Sequence, residues 1–195
     1  MTTHLQALSP KPKTLAVQKW DSFLPSAQWE SLCKHFVEEV SWMYGWKSDK
    51  ETEFTQWHRD FFNAKPVNVH VQAAWEYVQK FLLPGHVLTR CYANAHTFGV
   101  EGYPHTDSRR DDNYTTMLYL VPEWKPEWAG ETAFFNDAGD LVQSVLPNPN
   151  RLVVFNGAQV HSARSVSRIC PALRRVLVFK SQAPMPPSED SNANH

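Results

Sequence analysis

The chain is short of the residues that mark several common protein classes. It holds three cysteines, Cys33, Cys91 and Cys170, an odd number without C-x-x-C spacing, which argues against a disulfide framework and an all-cysteine zinc site. Seven glycines leave no glycine-rich phosphate cradle, and no Walker loop, Rossmann fingerprint or G-x-S-x-G elbow is present. Charge of one sign is also lacking. Nineteen Lys and Arg against twenty Asp and Glu give a formal net charge of −1, so nothing global draws the chain to nucleic acid or an anionic membrane. No apolar run nears the roughly 18 residues that cross a bilayer, and the opening MTTHLQALSPKPK lacks the apolar stretch of a secretory signal. The expectation is a soluble, cytoplasmic protein without nucleic-acid or membrane partners.

What the chain does have is core material. Hydrophobic residues at 42% and aromatics at 13% are enough to exclude a disordered chain, and 195 residues suit one domain. Residues 1 to about 14 and the C-terminal APMPPSEDSNANH have little to bury and are expected to be loose. From Ser26 to about Tyr44 the apolar positions Trp29, Leu32, Cys33, Phe36, Val37 and Val40 form one helical stripe, with Ser26 as the expected N-cap. Val71, Ala74, Trp75, Val78 and Leu82 form a second stripe that Pro84-Gly85 should stop. Beyond Pro84 come short β-branched and aromatic runs: 87–93, 114–121, 131–135, 141–145, 151–156, 161–166 and 174–181. Helices first and strands afterwards predict an α+β fold, with the helices bracing a sandwich or barrel.

The sharpest local feature is His105-Thr106-Asp107, because residues i and i+2 of extended backbone project to one side. Alone it is weak, and a solvated pair at a strand end is the plainer reading. His161 opens a strand-like run 54 positions after Asp107, and Arg174 follows 13 positions later at the head of an apolar strand. A guanidinium there either stays in water at the strand end or turns inward to grip a carboxylate. Two histidines and one carboxylate are the ligand set of a facial triad, which holds Fe(II) and leaves three positions open.

The order His-x-Asp, long gap, His, short gap, Arg on a strand-rich half is more specific than any member. The segment from Val87 to Lys180 resembles the catalytic core of the Fe(II)/2-oxoglutarate-dependent dioxygenases, within them the prolyl-hydroxylase-like branch. LYLVPEWKPEWAGETAFF (118–135), NRLVVFNGAQVHSARSV (150–166) and RRVLVFK (174–180) carry the likeness, over about half the chain. The resemblance implies a double-stranded β-helix (jelly roll, cupin-like) over residues 84–182, supported by helices in 15–83. It implies His105, Asp107 and His161 as iron ligands, with Arg174 as the anchor of 2-oxoglutarate. Tyr119 is implied as a hydroxyl donor to that co-substrate, and Tyr92 as a further contact that is equally at home as a core aromatic. Cofactors would be Fe(II), 2-oxoglutarate and O2, with ascorbate as a candidate reductant.

Some positions stay open at this stage. Alternation puts Arg174, Val176 and Val178 on one face and Arg175, Leu177 and Phe179 on the other, so one arginine only can face the metal; aligning the following residues to the family favours Arg174. Trp124 and Trp128 would form a lid or cap a sandwich edge. Asn94 and His96, expected on a loop, are candidate substrate contacts. The mixed run Arg109, Arg110, Asp111 and Asp112 reads as a solvated loop. His35, His58, His70 and His86 read as structural or exposed, and Cys91 as a small core residue. Asp107 argues for hydroxylation, since related halogenases lack that carboxylate. The substrate is expected to be an amino-acid residue, prolyl first, in a peptide or protein or free, or another small metabolite. The rival reading is a non-catalytic cupin-like module that binds a metal or ligand, and a third is a zinc hydrolase using the same triad. Oligomeric state is not legible.

Overall fold

Why the elements lie where they do follows from which faces are apolar. The computed structural model of the protein describes residues 16–47, 55–65 and 67–184. In chain order the elements are β1 (Gln18–Trp20), α1 (Ser26–Glu38), β2 (Met43–Trp46), β3 (Gln56–Asp60) and α2 (Val69–Phe81), then β4 (Val87–His96) and β5 (Asn113–Tyr119). After a short 3-10 turn come β6 (Thr132–Phe135), β7 (Leu141–Val145), β8 (Leu152–Asn156), β9 (His161–Ala163) and β10 (Arg174–Gln182). Seven strands form a large antiparallel sheet in the order β1-β8-β5-β10-β4-β3-β2. A smaller sheet, β7-β6-β9, faces it and is continued by a bridge between His105 and His161. This is the jelly-roll arrangement, two antiparallel sheets enclosing a cavity.

The central strands bury both faces. On β10, Leu177 and Phe179 join the helix-side core with Leu32 and Phe36 of α1 and Ala74 and Val78 of α2. Val176 and Val178 point the other way, into the core between the sheets with Met117, Tyr119, Phe134 and Phe155. Each fully buried Leu or Phe of this kind contributes about 1.5–3 kcal/mol. The two helical stripes are thus what covers the outer face of the large sheet.

Details of the first half differ from the sequence expectations. Ser26 is the first helical residue, not the cap; Pro25 holds the cap position and no side chain bonds there. The helix ends at Glu38 because residues 43–46 pair with β3 instead. Of its stripe, Leu32, Cys33 and Phe36 are buried while Val37 is exposed. α2 is capped by Asn68, whose side chain accepts from the Val71 amide. The 161–166 run is a strand only to Ala163. The expected loose ends lie outside the described residues, apart from Ala183 and Pro184 at the start of the C-terminal stretch.

Candidate active site

The cavity between the sheets gathers the chemistry-bearing residues. His105 and His161 are locked side by side: each amide donates to the other's carbonyl at 3.0 Å. The amides of Asp107 and Ser108 both donate to the Gly157 carbonyl, at 2.8 and 3.0 Å, which fixes the His-x-Asp segment against the turn before β9. Both histidines are oriented by backbone carbonyls. His105 Nδ1 meets Tyr103 O at 2.7 Å and His161 Nδ1 meets Gln159 O at 3.0 Å. Nδ1–H donation to those carbonyls leaves each Nε2 lone pair free to bind a metal, the tautomer control seen around metal-ligating histidines.

The Nε2 atoms lie 3.5 Å (His105) and 3.6 Å (His161) from the Asp107 carboxylate oxygens. One ligand atom from each of the three residues falls within 4.8 Å of the others, a spacing that one metal ion fills. Two imidazoles and a carboxylate form a borderline donor set suited to Fe(II). The residues therefore fit the metal that the motif implies. Burial alone would raise Asp107, but the Lys180 ammonium and both histidines hold it well below the usual carboxylate range. Burial lowers His161 to about 4. For His105 burial acts downward as well, yet the Asp107 hydrogen bond and the Tyr103 carbonyl raise it. Thr115 Oγ1 donates to Asp107 Oδ2 at 2.6 Å.

Of the two adjacent arginines, Arg174 is the one that faces the cavity. It heads β10 on the cavity face and is 1% exposed. Arg175 faces the helix side, near Cys33. Arg174 spends three of its five N–H groups: Nε on Gly130 O, one terminal nitrogen on His96 Nδ1 and the other on Thr132 Oγ1. Two N–H remain, and among the described residues no carboxylate lies within ion-pair distance of this buried cation, Glu131 acting on it only from further away. A buried guanidinium is costly without an anion, so the site fits the distal carboxylate of a diacid.

His96 reinforces that fit. It lies on β4 rather than on a loop, paired in register with Arg174, and is 1% exposed. Arginine can only donate, so His96 Nδ1 accepts and its proton sits on Nε2. That Nε2 is buried, lines the cavity and has no partner. An orphan donor beside an unpaired guanidinium is what an absent acceptor would leave behind.

The tyrosines differ from one another. Tyr119 is fully buried; its hydroxyl meets Thr132 Oγ1 at 2.7 Å, and the Arg174 guanidinium lies 5.4 Å from its ring centre. Tyr92 lines the cavity directly, with the Arg90 guanidinium 4.8 Å and the Lys180 ammonium 6.0 Å from its ring centre. Trp124 and Trp128 stack edge-to-face at 5.5 Å and close the Arg174 end. Between them and Arg174 sits Gly130, where an added Cβ would lie 3.1 Å from Trp124 and 3.2 Å from Arg174 Cδ. They cap the sandwich edge there. Asn94, also on β4, bonds His58 and lines the cavity. His58 is buried against Trp46, His86 bonds Ser181, and His35 stacks on His70. Arg110 and Asp112 form an exposed ion pair. Lys180, in contact with Asp107, was not among the sequence candidates. Continuing the Arg174, Val176, Val178 alternation by one step reaches it.

The triad stands where two spaces adjoin, His105 and Asp107 lining both. An inner cavity of about 60 Å³ runs back to Arg174, His96 and Thr132. An outer cleft of about 330 Å³ opens past Tyr92 to Arg90 and Trp46. A His-Asp-His cluster at the boundary of two such spaces leaves room for a metal ion to meet ligands from either side.

Comparison with known proteins points the same way. Residues 90–179 match the family model of the 2OG-Fe(II) oxygenase superfamily. No protein with curated function matches the sequence. Among solved structures, a Trichoplax adhaerens prolyl hydroxylase in complex with a hypoxia inducible factor oxygen degradation domain peptide is similar. Its TM-score is 0.65 and its identity 14%, covering 85% of this chain and 83% of that one. A Pseudomonas putida prolyl-4-hydroxylase gives TM-score 0.62 at 21% identity, over 88% of this chain and 95% of that one. The viral collagen prolyl hydroxylase of Paramecium Bursaria Chlorella virus-1, solved as a 2OG complex, gives 0.62 at 14% identity, over 86% and 96%. Residues 90–179, a little under half of the chain, thus resemble the 2OG-Fe(II) oxygenase superfamily, and the fold is the one these solved oxygenases share. Among the described residues no helix is long and apolar enough to cross a membrane.

Proposed function

We propose that the protein hydroxylates an unactivated C–H bond of an amino-acid residue, prolyl first, or of a small metabolite. His105, Asp107 and His161 would hold the iron, and Arg174 would hold the distal carboxylate of 2-oxoglutarate. One observation carries the reading: three convergent ligand atoms face the same cavity as a buried arginine with two unspent N–H groups and, among the described residues, no carboxylate within ion-pair distance. Bound there, ferrous iron and 2-oxoglutarate supply oxidising power from O2, so that substrate C–H, O2 and 2-oxoglutarate give substrate C–OH, succinate and CO2.

The chain's own part is orientation and exclusion. Arg174 and the His96 Nε2–H grip the diacid, while Thr132, held by the Tyr119 hydroxyl, keeps the guanidinium from turning. The Trp124–Trp128 cap and the Gly130 turn keep water from that end. Tyr92, at the boundary, contacts co-substrate on one side and substrate on the other. A peptide substrate is supported by the peptide-bound Trichoplax relative. The three unpaired cysteines support a reducing, cytoplasmic setting.

The test is anaerobic reconstitution with Fe(II) and 2-oxoglutarate, which should give a weak visible charge-transfer band, followed by air, which should give succinate. A protein that binds the metal but shows neither band nor succinate would overturn the reading in favour of a ligand-binding module.

A further inference from the structure

The outer cleft has a charge problem that the reaction alone does not solve. Arg90 and Lys180 are directly opposed in the β4–β10 register, and both line the cleft. Cross-strand neighbours of like charge repel, and nothing in the fold requires them to be paired. The pair is held in place all the same. Arg90 packs over two rings, 5.3 Å from Trp46 and 4.8 Å from Tyr92. Lys180 also lies by Tyr92, 6.0 Å from its ring centre, and hydrogen-bonds Thr115. Among the described residues Arg90 has no carboxylate partner, and Lys180 has one, Asp107. Asp107 is also the only carboxylate among the cleft's described lining residues. Once a metal ion takes that carboxylate, two opposed cations face the cleft with no acid dedicated to either.

We infer that the outer cleft selects substrates bearing a carboxylate, gripped between Arg90 and Lys180 with the oxidised C–H bond a few bonds away at the triad. This rests on the oxygenase reading above and adds the substrate's charge to it. Arginine stacked on aromatic rings is preorganised for a planar anion, and the neighbouring lysine adds a point charge. The volume of about 330 Å³ is at the small end for ligand sites, room for an amino-acid-sized acid or for one acidic stretch of a peptide.

The inference is tested on the anaerobic Fe(II)–2-oxoglutarate protein by following perturbation of its visible band. N-acetyl-L-proline is titrated against N-acetyl-L-prolinamide, and acetyl-Pro-Asp-amide against acetyl-Pro-Asn-amide. One member of each pair differs from the other only in carrying the acid. At least one acid should bind about tenfold or more tightly than its neutral partner, the size of a single charge-assisted contact. Which pair responds tells a free acid from an acidic peptide. Arg90→Gln and Lys180→Met should each bring that ratio towards one, while Arg164→Gln, an exposed residue outside the cleft, should leave it alone. Equal binding of acid and neutral partners in both pairs, or no binding of any acid with the band present, overturns the inference. So does a loss of 2-oxoglutarate affinity in the two variants with the acid preference intact, since the cations would then serve the co-substrate. Should a variant fail to fold, the preference of the unmodified protein decides by itself. Absence of the band in the unmodified protein defeats the oxygenase reading instead, so the two failures are distinguishable.

Discussion

Two adjacent arginines show how much one residue's direction decides. Arg174 is sealed in the cavity wall with three of its donors spent on Gly130, His96 and Thr132, whereas Arg175 leaves the sheet on the helix side. Truncating one member of a buried, hydrogen-bonded charge pair costs about 2–5 kcal/mol, or about 30-fold and upward in Kd. Arg174→Met should therefore weaken 2-oxoglutarate by at least that factor in an anaerobic titration, and Arg175→Met should change it by less than about threefold; the reverse order would reassign the anchor. The histidines outside the triad make a second prediction. His58, His86 and His96 all have their pKa lowered by burial. Below pH about 6.5 the unfolded chain protonates these rings while the folded one resists, so the unfolded state binds more protons and stability rises with pH. Stability is thus fully present above about 6.5 and is lost as pH falls from there, by up to about 1.4 kcal/mol per pH unit for each ring still neutral when folded. Urea midpoints between pH 7.5 and 5.5 should fall accordingly, and His86→Gln should make the slope shallower. A slope of opposite sign would contradict the burial argument.

Elements were legible to the extent that their residues repeat. The α1 and α2 stripes and the strands after Pro84 show in the sequence because each buries a periodic face, and Leu32, Phe36, Val71, Ala74 and Val78 are in the core as expected. β1, β2 and β3 were not, since they are three to five residues long and draw their stability from strands already in place. Lys180 carries no signal of its own in the sequence because it ends an apolar run, next to a register shift at Lys180/Ser181. His96 looked like loop because β4 runs on through Asn94 and Ala95, and its orphan nitrogen is a fact of packing that no pattern carries. The caps give a sharp contrast. Asn68→Ala should cost about 1 kcal/mol in chemical unfolding, while Ser26→Ala, which removes no cap bond, should stay within about 0.5 kcal/mol. The turn before β6 couples to the site through Gly130, whose φ of +74° and whose close contacts leave no room for a Cβ. Gly130→Ala should weaken 2-oxoglutarate several-fold or more without touching it, by displacing Arg174; unchanged affinity in a folded variant would show that the guanidinium does not depend on that turn.

On the scale of the whole molecule, the question is whether the metal builds its site or finds it built. The ligand-bearing segments are tied by backbone bonds: His105 and His161 to each other, and Asp107 to Gly157. In the absence of metal, Lys180 offsets the Asp107 charge, so the empty triad does not leave a buried anion unpaired. The helix-side core rests on apolar contacts away from the triad, and the inner core meets it through His161, set edge-on to Phe155. Chelation should therefore leave the fold intact, unlike a small domain whose ligands are disordered without their ion. Binding still stabilises by linkage, about 2.7 kcal/mol at a free metal concentration 100 times Kd. For a chain of this size that is about 5–10 °C in Tm. Calorimetry with and without chelator should show one cooperative transition in both states, displaced by about that amount. In Asp107→Ala the displacement should vanish, because the carboxylate that completes the three-ligand face is gone while both histidines keep their backbone ties. A chelated protein that loses its sheet signature at room temperature would mean that the ion holds the two sheets together, and that the preformed triad described here exists only around it.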